Sequence, residues 1–91
     1  MCDGDQMNKL DFCLKTTEKC LKDLRVIDER ACELIKFAQD YYDDAVHYKE
    51  KGNLETALEA VAYAHGFIDA AVLLGLVEIK DYHLKCAERK H

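Results

Sequence analysis

Apolar residues return along this chain with a helical period of about 3.6 positions, and the register barely drifts through its first half. Leu10, Cys13, Leu14, Thr17, Cys20, Leu21 and Leu24 fall on one stripe, which predicts a first helix over residues 8–24 with Asn8 or Asp5 as its cap. The same register continues through Ile27, Ala31, Leu34, Ile35, Ala38, Tyr41, Ala45 and Tyr48, so periodicity alone would permit one helix from Asn8 to Lys51. A break is expected at 25–28, because the β-branched pair Val26 and Ile27 is followed by Asp28, a good N-cap, with Glu29 placed to complement the helix dipole. The second helix should end where Lys49 and Lys51 face its last carbonyls. Gly52 suits the left-handed position that follows, and Asn53 can cap a third helix.

That third helix, from Leu54 to Gly75, is apolar around most of its circumference. Leu54, Ala57, Leu58, Val61, Ala64, Ile68, Ala71 and Val72 form one face, Ala60, Tyr63, Phe67, Ala70 and Leu74 the next, and the polar strip is limited to Glu55, Glu59, Gly66 and Asp69. One neighbouring helix cannot cover such an arc, so further packing partners are needed. Small residues at Ala45, Ala57, Ala60, Ala64, Ala70 and Ala71 on either side of Gly52-Asn53 specify a tight hairpin. Gly75 should stop the helix, leaving Leu76 to Ile79 as a short apolar coda. The pattern therefore predicts an all-α fold: an up-and-down three-helix bundle over residues 1–79 with a tight helix 2/helix 3 hairpin. Residues 80–91 are read as a charged C-terminal tail with room for a short helix. Self-association as a dimer is expected, through exposed apolar surface on the third helix and the coda.

Composition narrows the picture. The absence of proline, with glycine at only four of 91 positions, leaves little punctuation for turns or strands and favours a nearly all-helical chain of one domain. A net charge of −5 opposes binding to nucleic acid or anionic membrane, which draws on clustered lysine and arginine. Lys15, Lys19 and Lys22 do share a helical face, but Asp11, Glu18 and Asp23 stand four residues from them, as in a solvated salt-bridged face. The amino terminus lacks the basic and apolar regions of a secretory signal, and the longest apolar run, Ala70 to Val77, is too short to span a bilayer. Five cysteines (Cys2, Cys13, Cys20, Cys32, Cys86) make an odd set without a Cys-x-x-Cys pair, which disfavours a disulfide framework or a zinc finger. A cytoplasmic protein with reduced thiols is expected.

Candidate chemistry is sparse. Asp43 with His47 and His65 with Asp69 each have the i,i+4 spacing of helical metal ligands, but a turn at Gly52-Asn53 sets His65 roughly 10 Å along the bundle from His47 at about 1.5 Å per residue. The two pairs cannot share an ion, and neither a metal nor a cofactor is expected. His65 is read as hydrogen-bonded to Tyr41, Asp40 or Asp69. Gly66, which costs about 1 kcal/mol relative to alanine inside a helix, suggests close approach of another helix or a ligand to the backbone. Tyr41, Tyr42, Tyr48 and Tyr63 gather about the hairpin without the basic groove of a nucleic-acid platform, so they are read as packing residues. Cys13 and Cys20 lie on the buried stripe with no adjacent histidine and behave as small hydrophobes. If a binding site exists, Tyr41, Tyr63, His65, Gly66 and Asp69 line it; no catalytic residue is assigned.

The strings Tyr41-Tyr42-Asp43-Asp44-Ala45, Glu50-Lys51-Gly52-Asn53-Leu54-Glu55-Thr56-Ala57 and Tyr63-Ala64-His65-Gly66-Phe67-Ile68-Asp69-Ala70, followed by Leu74-Gly75-Leu76, resemble the domain of unknown function 357 family. The likeness covers residues 8–79. It implies a three-helix bundle in an archaeal cytoplasmic protein and no particular activity. A looser likeness to a single tetratricopeptide-type hairpin rests on Ala45, Tyr48, Gly52, Ala57 and Ala64, but no second copy is present to form a solenoid. The function expected is that of a homo-oligomeric protein-protein interaction module without catalytic activity. The alternative is a ligand-binding or enzymatic bundle using His65 and Asp69 at a pocket or subunit interface.

Overall fold

In the computed structural model, which describes residues 2–80, helices α1 (Cys2–Asp23), α2 (Ala31–Glu50) and α3 (Leu54–Leu73) are accompanied by two short strands, β1 (Arg25–Val26) and β2 (Val77–Glu78). The expected charged tail and its short helix lie outside the described residues. α2 and α3 form the most extensive contact, and α1 lies along them, mainly on α3. Leu10 and Leu14 of α1 meet Ala45, Ala57 and Val61 near the α2–α3 turn, while Cys20 meets Ala38 and Ile68 further along. The helices therefore alternate up and down in a three-helix bundle.

Alanine sets the spacing. Ala31, Ala38 and Ala45 recur every seven residues on α2, Ala57, Ala64 and Ala71 do so on α3, and all six are fully buried. With only a methyl group at each of these positions the two backbones approach closely, and the larger side chains Leu10, Val61 and Ile68 fill the space between helices. Burying each of these three contributes roughly 1.5 to 3 kcal/mol. Thr17 is the polar exception in this core: it is 1% exposed, and its hydroxyl has no hydrogen-bond partner among the described residues.

The α2–α3 turn follows from local chemistry. Gly52 takes a positive φ of 83°, which lets its N–H donate to the Lys49 carbonyl at 3.0 Å and the Asn53 N–H donate to that of Tyr48 at 2.9 Å. The Asn53 side chain then accepts from the Thr56 N–H at 3.3 Å, capping α3 as the sequence predicts. Gly75 closes α3 in the same way, with φ of 74° and bonds from Gly75 N–H to Val72 and from Leu76 N–H to Ala71.

Three expectations need correction. α1 begins at Cys2, so Asn8 and Asp5 lie inside the helix and neither is its cap. The break between α1 and α2 spans residues 24–30 and includes the expected 25–28, but Asp28 is not the N-cap of α2: Arg30 occupies that position without a side-chain cap bond. Asp28 instead folds a turn, its Oδ1 accepting the Arg30 N–H at 2.9 Å while the Arg30 guanidinium grips both of its oxygens. That guanidinium, with the backbone bond, lowers the Asp28 carboxyl to about 2. Third, the coda is not exposed apolar surface. Leu76 is 8% and Val77 3% exposed, packed against Ala31 and Ala71. β2 pairs antiparallel with β1, Val26 opposite Val77 and Arg25 opposite Glu78, whose side chains form an ion pair. The Leu76 carbonyl accepts the N–H groups of both Ile27 and Asp28. The helix break is thus held by a distant segment, which satisfies backbone groups that a helix would otherwise have paired.

Between α1 and α2 runs an open cleft of about 400 Å³, lined in part by Leu14, Glu18, Tyr42 and Val46 and crossed by a 2.7 Å bond from Lys49 Nζ to Asp11 Oδ1. Burial first, then the neighbouring Glu18 and Asp43 charges, raises the Tyr42 phenol. Among the described residues no helix is long and apolar enough to cross a membrane.

Candidate functional site

Phe37 and Tyr41 stand one turn apart on α2, and Tyr63 and Phe67 one turn apart on α3. Phe37 and Phe67 lie fifteen residues either side of Gly52, Tyr41 and Tyr63 eleven, so the antiparallel hairpin brings the four together. Phe37 stacks on Phe67 at 5.5 Å and 22°, Tyr41 on Phe67 at 5.7 Å and 17°, and Tyr41 meets Tyr63 at 5.4 Å and 37°. These are favourable aromatic separations. Yet among the described residues nothing closes over the row: Phe37 remains 49% and Tyr63 62% exposed. Helical spacing puts this seam on the side of the hairpin away from α1, which packs against the alanine stripes.

Gly66 stands beside this row, one turn from Tyr63. A Cβ placed on it would find no atom within 4 Å, so among the described residues the close approach expected of another helix does not occur. The reason is angular: Gly66 is two residues, about 200° of helix, from fully buried Ala64, and faces outward.

The sequence-predicted site residues divide between two seams. Tyr41, Tyr63 and Gly66 belong to the α2–α3 seam. His65 and Asp69 lie on the α1 side of α3, their side chains 16% and 15% exposed, with Nε2 and Oδ1 3.6 Å apart. Asp69 is thus one partner of His65, whereas the Tyr41 ring is engaged with Tyr63 and Phe67. Cys20 is the neighbour on α1; burial, followed by the Asp69 charge, raises its thiol, which keeps it protonated and unsuited to nucleophilic attack. Cys20 is 7% exposed and sits in the core, as the stripe predicts. Among the described residues no group of three or more His, Cys, Asp or Glu side chains is placed to hold one ion. Lys19 pairs with Asp23 at 2.9 Å and Lys22 with Glu18 at 3.6 Å, in keeping with a salt-bridged face, whereas Asp11, expected opposite Lys15, bonds Lys49 of α2 instead.

Sequence reasoning did not assign Phe37 and Phe67 to the site. The signal was present in their equal distance from Gly52, combined with i,i+4 spacing to Tyr41 and Tyr63. Reading the tyrosines as one group about the turn hides it, because Tyr42 and Tyr48 pack against the core cluster near the turn and not along this seam.

Residues 13–77 match the family described as "Protein of unknown function (DUF357)", and the chain belongs to that family. No curated protein and no solved structure matches it.

Proposed function

We propose that this DUF357 chain is a non-catalytic protein-protein interaction module that self-associates through the open α2–α3 seam. The observation that carries this reading is the row of four rings in contact along the hairpin, with Phe37 and Tyr63 about half exposed. Contiguous exposed apolar patches on small proteins mark interaction surfaces, and aromatic anchors dominate their energetics. Covering the exposed parts of Phe37 and Tyr63 alone would remove roughly 200 Å² from water, about 5 kcal/mol at about 25 cal/mol per Å². Association costs at least about 4 kcal/mol in lost freedom of motion, so these two rings support a weak contact and further contacts must add to it.

A site centred on His65 and Asp69 has less support. The pair is largely covered on the α1 side of the bundle, beside a thiol that burial holds protonated. A cytoplasmic location belongs to the same reading and rests on cysteine spacing that suits reduced thiols.

Sedimentation velocity of the wild type against Phe37→Ser/Tyr63→Ser tests the proposal. The wild type should give species above 10.5 kDa at micromolar to millimolar concentration, and the variant should not. Equal association of the two proteins would sink the seam as the contact surface.

A further inference from the structure

The four rings of the seam have a one-sided electrostatic setting. The positions three and four residues from Phe37, Tyr41, Tyr63 and Phe67 hold Glu33, Asp40, Asp44 and Glu59, all exposed, and no lysine or arginine. Two copies meeting seam to seam would bring these acidic rims together, an arrangement that like-charge repulsion opposes. A surface that fits the seam should combine an apolar anchor with cations, which also interact favourably with ring faces.

The chain carries one on its opposite side. Phe12 is 69% exposed, the highest value among the exposed large hydrophobic residues described. It lies two residues, about 200° of helix, from buried Leu10 and from buried Leu14, so it points away from the bundle. Its helical neighbours at three and four residues are Asn8, Lys9, Lys15 and Thr16; all but half-buried Thr16 are exposed, and none is a carboxylate. Gly66, bare of side chain beside Tyr63 and Phe67, leaves open space in which an inserted ring could sit.

We infer that the seam of one copy receives the outer face of α1 from a second copy, with Phe12 as the anchor and Lys9 and Lys15 facing the acidic rim. This rests on the self-association reading above and assigns its second surface. Because the two surfaces lie on opposite sides of one molecule, the contact is heterologous, and it propagates into rings or open chains rather than stopping at a symmetric dimer.

Mixing two variants tests this arrangement. Phe12→Ser removes the anchor and keeps the seam; Phe37→Ser/Tyr63→Ser removes the seam and keeps the anchor. Each alone should associate at least about tenfold more weakly than the wild type, a loss in keeping with an aromatic anchor. Together they should form a one-to-one complex of about twice 10.5 kDa and nothing larger. Lys9→Glu/Lys15→Glu, both at exposed positions and compared at unchanged helical content, should weaken association as Phe12→Ser does, and salt should weaken the wild type. If the α1 variants associate like the wild type while the seam variant is monomeric, the seam reading stands and the role of α1 falls. A mixture that stays monomeric also overturns it. If the seam variant associates like the wild type, or the wild type is a strict monomer, the underlying reading fails instead.

Discussion

On α3, Ala57, Ala64 and Ala71 turn inward and are fully buried, whereas Tyr63 and Gly66 on the far side of the same helix are exposed. Both sides are built from small and aromatic or aliphatic residues, and hydrophobicity alone does not separate them. What separates them is completion. The inner side meets α1 and α2 and is filled, while the outer side meets Phe37 and Tyr41 along one edge only and leaves its rings stacked in the open. The lesson is that a helix apolar around most of its circumference can satisfy one face within the chain while its other face stays largely uncovered by the described residues.

The largest effect that sharpens this contrast is expected at Ala64. Ala64→Leu forces a larger side chain into a fully buried contact between backbones and should destabilise the protein by about 1 to 3 kcal/mol, read from chemical denaturation. A neutral result would mean that the inner face is loosely packed. Thr17 probes the same face from α1: its hydroxyl is buried with no partner among the described residues, so Thr17→Val should stabilise by about 1 kcal/mol. A loss of stability would reveal a partner for that hydroxyl.

Gly66→Ala should act in the opposite direction to Ala64→Leu although the positions are two residues apart. With nothing within 4 Å of the added methyl group, the gain in helix propensity should stabilise the monomer by up to about 1 kcal/mol. Weaker self-association in the same variant would place a second surface over that backbone. Destabilisation of the monomer would return Gly66 to a packed contact.

The smallest effect concerns the turn between α1 and α2. Asp28 has its carboxyl lowered to about 2, chiefly by the Arg30 side chain. A lowered value means that the folded state favours the ionised form, so this contribution is present above the unfolded value near 3.8 and is lost as pH falls towards 2. Asp28→Asn should remove that part of the acid dependence, and an unchanged acid limb of the melting temperature would contradict it. The carboxyl is a third exposed and pairs with a solvent-facing guanidinium, so the change should be small.

How much of this was legible in the sequence varied with how local its cause is. The Gly52-Asn53 turn and the Gly75 stop were readable because a positive φ and a cap are decided by one or two residues. The break near Val26 was located correctly, but its mechanism was not, since Val26 pairs with Val77 across most of the chain and a two-residue strand carries no periodicity. The same hidden pairing turned Leu76 and Val77 from expected interface into core. Tyr41 and Tyr63 were recognised as neighbours, while grouping them with His65 failed because residues 63 and 65 lie about 200° apart on a helix. Gly66 announced an unusual position without saying on which side of the helix its space would be found.

The most direct test of the account is the mass of the wild-type chain against concentration, by light scattering from micromolar to millimolar, beside Phe37→Ser/Tyr63→Ser. The account predicts that the wild-type mass climbs above 10.5 kDa and that the variant stays there with its helical content unchanged. A wild-type mass that holds at 10.5 kDa throughout would contradict it.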